Sequence, residues 1–254
     1  MWYCKSMMKD GEKTMGRGFE LLELVGRSRG GLRGREIAEA LGVPVSTAFR
    51  QLKFLVERGY LRSGGGVYTL GSTLIRLGNE AMRQNPLSRL AHGVLSELAE
   101  ATSETVHLAE RRGDRVVYVD KVEGSRSVRM GSMIGNTSPL HCTGVGKAIL
   151  AFLPEKERRE LVEKLELTRF TDRTITERRA LVAELDRIRA QGYAVDDCEH
   201  EPGVFCVAAP VFDSAGTVPG AISVSGSELY LRGAQEALKE RVLAAAAAIS
   251  AELR

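Results

Sequence analysis

Between Leu32 and Leu70 two short amphipathic patterns, separated by Gly42-Val43-Pro44, run into a glycine-rich hairpin pattern, and few folds accommodate that order. Stepping by the helical period, the first pattern puts Leu32, Ile37, Ala38 and Leu41 on one face, and Gly42 supplies the chain reversal that a helix C-terminus favours. The second opens at Val45-Ser46-Thr47. Counted from Ala48, residues Leu52, Leu55 and Val56 form one stripe while Ser46, Arg50 and Lys53 fall opposite. Tyr60 to Arg62 and Val67 to Thr69 read as strands flanking a turn at Ser63-Gly64-Gly65-Gly66. Helix, turn, helix and hairpin outline a winged helix-turn-helix, with Phe19, Leu21, Leu22, Leu24 and Val25 predicting a first helix that completes a three-helix core.

Two helices joined by a Gly-containing turn also occur in proteins that never meet DNA, and exposed cations are commonly a solvated face. The hairpin in the expected place and the charge distribution favour nucleic acid. Residues 1 to 86 carry 14 Lys plus Arg against 8 Asp plus Glu, a net of +6, whereas the remainder carries 22 against 25, a net of −3. The basic half of the chain is the half with the recognition pattern, where a phosphate backbone would lie.

A chain of 254 residues has room for one small and one medium domain. Ser72 and Thr73 can cap a connecting helix bearing Leu74, Ile75, Leu77 and Met82, which should stop before Asn85-Pro86 because the residue ahead of proline avoids helical backbone. A helix over about Leu87 to Thr102 follows. The period then shortens to that of strands at Val106 to Ala109, Val116 to Val122 and Ser127 to Met130. Helices are predicted at Gly144 to Phe152, Glu155 to Lys164 and Thr176 to Gln191. Strands follow at Tyr193 to Val195, Phe205 to Phe212 and Ala221 to Ser225, then a last helix from Ala234. The fold class expected is α+β: a winged helix-turn-helix over 16–71, a linker helix over 72–86 and a mixed sheet domain over 87–254. Residues 1–15 show no periodicity and are expected as an unstructured arm.

No apolar run approaches a membrane span, and the first residues lack the apolar core and small-residue site of a secretory signal, so a cytoplasmic protein is expected. Cys4, Cys142, Cys198 and Cys206 are irregularly spaced and read as free thiols. Gly146-Lys147-Ala148 is no phosphate-binding loop, because His141 stands where its first glycine should be and Ala148 lacks the metal-binding hydroxyl. Ile149 breaks the dinucleotide pattern begun by Gly144-Val145-Gly146, and no GxSxG elbow surrounds Ser223 or Ser225. Asn136-Thr137-Ser138 matches a glycosylation sequon by accident. An enzyme is therefore not expected, and no cofactor. One alternative of another class stays open: His141, Cys142, Asp196, Cys198 and Cys206 converging on a metal, as a sensor or hydrolytic centre.

Two sets of short motifs bear on function. The first comprises Glu36-Ile37-Ala38, Gly42-Val43-Pro44, Ser46-Thr47-Ala48, Arg50 and Leu55-Val56-Glu57-Arg58-Gly59-Tyr60-Leu61. The second comprises Pro139-Leu140-His141, Gly146-Lys147-Ala148, Gly192-Tyr193, Asp196-Asp197, Cys206 to Pro210 and Ala221 to Gly226. In this order they resemble the IclR family of bacterial transcriptional regulators from about Gly16 to Leu253. The resemblance implies a double-stranded operator as partner, dimers often paired into tetramers, and a GAF-like C-terminal domain that binds a small effector, commonly an organic acid.

Carried onto this sequence, the resemblance puts Ser46, Thr47, Phe49, Arg50 and Lys53 at the major groove and Arg62 of the wing along the backbone. Arg33 stands where a Ser or Thr cap is usual, a loss worth about 1 kcal/mol of helix stability, and is expected to contact phosphate instead. Cys198 replaces a usual Glu. Ser223 and Ser225 share one face of their strand, Ile222 and Val224 the other. On the residues alone, small side chains there are better read as a strand making room for a helix, but the resemblance matches both serines to effector contacts, along with Asp196 and Cys206. The amides of Gly144 and Val145 at a helix start would suit a carboxylate, and Met130, Leu140 and Val204 are expected as an apolar wall. Asp196, if ionised, would repel an acid unless the ligand carries a second polar group or the site raises its pKa.

Overall fold

The computed structural model describes residues 10–126 and 130–253 and divides by contacts into two compact units, the break falling after Gln84. The N-terminal unit comprises α1 (Asp10–Arg27), β1 (Leu32–Arg33), α2 (Gly34–Ala40), α3 (Val45–Glu57), β2 (Leu61–Gly64), β3 (Val67–Leu70) and α4 (Ser72–Gln84). Leu21 and Val25 of α1, Ile37 of α2, and Leu52 and Leu55 of α3 enclose one core with Leu61, each fully buried chain worth about 1.5–3 kcal/mol.

Several expectations change here. Leu32 is not on α2 but in β1, paired with Tyr68, so the hairpin is extended to three strands in the order β1-β3-β2. Phe19 is 61 % exposed rather than core. The turn between β2 and β3 shrinks to Gly65-Gly66, both with positive φ, because Gly64 still pairs with Val67. Two successive left-handed residues match the twist of a two-residue hairpin, and glycine adopts them without strain. The arm expected over 1–15 lies partly outside the described residues, and α1 already begins at Asp10. Thr73 caps nothing: its hydroxyl donates to the Arg58 carbonyl at 3.0 Å, tying α4 to the turn after α3.

The second unit is built on a six-stranded sheet, antiparallel throughout, of β4 (Thr105–Arg112), β5 (Arg115–Val122), β6 (Thr137–Pro139), β7 (Ala194–Asp197), β8 (Val204–Val211) and β9 (Gly220–Ser227), in the order β6-β5-β4-β9-β8-β7. Its helices are α5 (Pro86–Thr102), α6 (Gly144–Phe152), α7 (Glu155–Lys164), α8 (Arg178–Gln191), α9 (Glu228–Leu231) and α10 (Gln235–Glu252). The strand expected at Ser127–Met130 lies mostly outside the described residues, and the edge place is taken by β6, three residues long and too short to show a period. No helix of the described residues is long and apolar enough to cross a membrane.

Strand alternation divides the interior. Phe205, Val207, Ala209 and Val211 of β8, with Ile222 and Val224 of β9 and Val106 and Leu108 of β4, pack against α5 and α10. Ala208, Ala221 and Ala194 face the opposite way, toward α6 and α8. A cavity opens on that second face.

Candidate functional site

On α3 the buried stripe is Ala48, Leu52 and Leu55, and Ser46, Phe49, Arg50 and Lys53 are exposed on the other side, with Thr47 at the margin. The face therefore presents two hydroxyls, one aromatic ring and two cations to solvent. Phe49 does not project freely. Its ring lies over Gly34, so close that a Cβ on that glycine would meet ring carbon Cζ at 2.6 Å. Lys53 reaches Glu57 at 3.9 Å, an exposed pair of small energetic consequence. On the wing, Arg62 Nε donates to Thr69 Oγ1 at 2.8 Å, which sets the guanidinium along the hairpin. Arg33 caps α2 differently from expectation. A guanidinium has no acceptor for the first-turn amides, but the Arg33 N–H donates to the Glu36 carboxylate at 2.7 Å, so half of the reciprocal cap survives. Arg33 itself is exposed.

In the second unit the sheet register gathers residues far apart in sequence. Asp196 on β7 stands opposite Cys206 on β8, which stands opposite Ser225 on β9; in the neighbouring row Ala208, Ser223 and His107 are successive partners. Met130, Gly144, Val145, Asp196, Val204, Cys206, Ser223 and Ser225 all border one cavity of about 40 Å³. Leu140, expected in its wall, does not border it: the side chain is fully buried in the core beneath α6.

Helix α6 closes the cavity on one side. Thr143 caps it, its Oγ1 accepting from Gly146 N–H at 3.2 Å and donating to the Pro139 carbonyl at 2.7 Å. The amides of Gly144 and Val145 precede the first intrahelical bonds and point outward from the helix start. A Cβ on Gly144 would lie 3.2 Å from Ala208 Cβ and 3.8 Å from Asp196 Cβ, so glycine lets the helix start sit on the sheet.

Sequence reasoning missed His107 and Tyr118, which share the cavity with Ser132 and Thr143. His107 Nε2 is 2.7 Å from Ser132 Oγ, and Nδ1 is 3.3 Å from Ser225 Oγ. Burial, with Lys121 nearby, holds the imidazole neutral by lowering its pKa to about 3. Burial raises the Tyr118 phenol to about 12. A polar residue between Val106 and Leu108 was a readable signal for an inward-facing group, and Thr143 ahead of Gly144 was a readable cap; which strands neighbour β4 was not readable.

Burial first, and the charge of Glu199 second, push Asp196 up to about 7. Its Oδ1 accepts from the Glu199 N–H at 2.7 Å. Behind it the fully buried Lys147 of α6 pairs with Glu199 and, at 3.3 Å, with Glu184 of α8.

The metal alternative is not supported. Among the described residues the one group of three or more His, Cys, Asp or Glu ligand atoms within 4.8 Å of one another is Asp197, Cys198 and Glu228, which shares only Cys198 with the expected set of His141, Cys142, Asp196, Cys198 and Cys206. That group is an ion-pair knot. Arg173 and Arg232 both pair with Asp197 and Glu228, and burial together with the Glu228 carboxylate raises the Cys198 thiol to about 11, away from the thiolate a metal needs. Cys198 also has a φ of 56°, unusual for a residue with a side chain.

Comparison with known proteins covers nearly the whole chain. The IclR helix-turn-helix domain matches residues 14–65 and the bacterial transcriptional regulator IclR C-terminal domain matches residues 79–251. The HTH-type transcriptional regulator BhcR of Paracoccus denitrificans is 37% identical over 94% of this chain and 87% of its own length. The HTH-type transcriptional regulator KdgR of Escherichia coli is 36% identical over 92% of this chain and 90% of its own. Among solved structures, the Thermotoga maritima IclR superposes with a TM-score of 0.84 at 37% identity, covering 95% of this chain and 98% of that one. An IclR homologue from Microbacterium hydrocarbonoxydans, complexed with 4-hydroxybenzoate, superposes with a TM-score of 0.83 at 25% identity, covering 95% and 99%. With both of its units matched in order, this chain belongs to the IclR family of bacterial DNA-binding transcriptional regulators.

Proposed function

We propose that this regulator binds a double-stranded operator through α3 and the β2–β3 wing, and that a small organic acid in the cavity beside α6 sets its operator affinity. The observation that supports the effector reading is the convergence of Ser223, Ser225, Asp196, Cys206 and the start of α6 on one cavity. Serine hydroxyls and the unbonded amides of Gly144 and Val145 are donors, and the helix dipole adds partial positive charge at the same place. Met130 and Val204 supply apolar lining. A homologue of this fold that carries 4-hydroxybenzoate, itself an acid, supports the same reading. The small volume favours a compact ligand.

Ser46, Thr47, Phe49, Arg50 and Lys53 are assigned to the major groove, Arg62 and Arg33 to the sugar-phosphate backbone. One recognition helix reads too few base pairs for an operator, so the functional unit is a dimer or a dimer of dimers. Helix α4 supports self-association. It has no buried residue, while Ile75, Leu77 and Met82 are 68%, 40% and 37% exposed. The protein acts in the cytoplasm, where its DNA lies.

The test is a thermal-shift panel of small acids, followed by calorimetric titration of any that raises the melting temperature into wild type and Ser223→Ala, with operator binding measured with and without the acid. The expected result is weaker acid binding in the variant with operator binding unchanged in the absence of acid. Coupling is reciprocal, so operator must change acid affinity by the factor by which acid changes operator affinity. Equal acid affinity in both proteins would place the site elsewhere.

A further inference from the structure

The charges around the cavity are one-sided. Among its described lining residues are two carboxylates, Asp196 and Glu201, and no Lys or Arg. His107 is neutral, and burial lowers the pKa of His200, which disfavours its cationic form. The two ammonium groups close by are already engaged. Lys147 serves Glu199 and Glu184, and Lys121 donates to the carbonyls of Met130 and Ser132 at 3.0 and 2.8 Å besides pairing with Glu123. Arg115 of β5 acts on His200 from outside the lining and already donates to Thr137, so among the described lining residues the positive feature is the partial charge of the α6 N-terminus, about half an elementary charge.

Asp196 is 3% exposed and stands in the middle of this arrangement. The groups that face it are Lys147 from α6, Cys142 from the segment before α6, Glu199 and His200 from the turn after β7, Cys206 from β8 and Tyr118 from β5. Burial raises the two thiols and the phenol, leaving them uncharged at neutral pH. Lys147 is thus the one cation of the set, and it is shared between two carboxylates. An anion placed beside an ionised Asp196 would put like charges together with no lysine or arginine among the described lining residues to offset them.

Building on the effector reading above, the geometry points to a proton-coupled site: a ligand carboxylate binds at the start of α6 while Asp196 takes one proton from solvent and donates it to a second, neutral oxygen of the ligand. The site therefore accepts compact monocarboxylates bearing a hydroxyl or carbonyl oxygen and rejects dicarboxylates, whose second charge would meet Asp196 or Glu201. Nothing is oxidised or reduced. One proton passes from water to an Asp196 carboxylate oxygen and returns when the ligand leaves.

The Asp196 pKa is pushed up to about 7, whereas simple monocarboxylic acids are fully ionised from pH 6 to 8, so the part of the pH dependence over that window that Asp196→Asn abolishes belongs to Asp196. The probe is whichever of glycolate, lactate, pyruvate and 4-hydroxybenzoate binds the full-length protein most tightly, with malonate, compared at pH 8 where both its carboxyls are ionised, as the dianion. Calorimetry in two buffers of different ionisation enthalpy should count about 0.9 proton taken up per ligand at pH 8 and about 0.1 at pH 6, with affinity about tenfold lower at pH 8. Malonate should bind at least about tenfold more weakly than the monocarboxylate. Asp196→Asn, a neutral donor of the same shape, should bind with equal affinity at both pH values and no proton uptake. A monocarboxylate that binds wild type at pH 8 without proton uptake, or malonate bound as tightly, overturns the proton coupling and leaves the acid-effector reading standing. Failure of all four monocarboxylates to bind at millimolar concentration overturns both. Should Asp196→Asn lack a cooperative melt, the wild-type proton count and the malonate ratio decide.

Discussion

The proposed DNA-reading face and the proposed effector cavity solve opposite problems. On α3 the side chains assigned to DNA are exposed and their removal opens no core, so binding can be changed there with little effect on folding. In the sheet domain Asp196, Ser223, Ser225 and His107 are all at most 4% exposed. They hydrogen-bond one another or the backbone, so each both lines the cavity and forms part of the interior. Function is separable from stability in the first unit and entangled with it in the second.

The sharpest way to break this contrast is Lys147→Ala. It leaves Glu199 and Glu184 without the buried ammonium they share, and should cost about 3–5 kcal/mol of stability in the sheet domain, read as a lowered melting temperature. A variant that melts like wild type would show that this domain, too, tolerates loss of buried polar groups. Next in size is the pH dependence of stability. The folded-state pKa of Asp196 is raised to about 7, so its contribution is fully present below about pH 4 and is lost as the pH rises through 7, at about 1.4 kcal/mol for each pH step of one across that window. Chemical denaturation of wild type against Asp196→Asn from pH 5 to 8 isolates it, and a constant difference between the two would refute the assignment.

Smaller effects belong to the other unit. Arg50→Ala should weaken operator binding by about 1–3 kcal/mol and relax preference at one base position, with an unchanged melting temperature. Lys53→Ala should weaken binding by less, evenly across sequences, and reduce the slope of log affinity against log salt by about 1. Salt titrations of both variants on operator and on unrelated DNA distinguish the two roles, and a Lys53→Ala slope equal to wild type would remove that residue from the phosphate contacts.

The same contrast governs what can be read from sequence. The α3 face follows from local periodicity, because buried and exposed positions differ by their place along a single helix. Leu32 misleads because a two-residue strand is too short to show a period, and its pairing with Tyr68 is nonlocal. In the sheet domain alternation predicts that Ser223 and Ser225 share a face, and their strand register places both beside the residues expected with them. His107 escapes because its partners come from β9 and from Ser132, which no local pattern indicates. Leu140, expected with Met130 and Val204 as apolar wall, lies in the core instead, while Thr143 and Gly144 line the opening.

The two-faced packing of β8 and β9 bears on how such regulators diverge. Positions 206, 223 and 225 face the cavity, while 205, 207, 222 and 224 secure the sheet to α5 and α10. Every second residue can therefore be exchanged during descent to suit a new metabolite while its neighbours keep the scaffold and the DNA-binding unit unchanged. A one-residue insertion within either strand would swap the two roles downstream of it. Substitution, rather than insertion or deletion, is the route by which these strands can acquire a new signal.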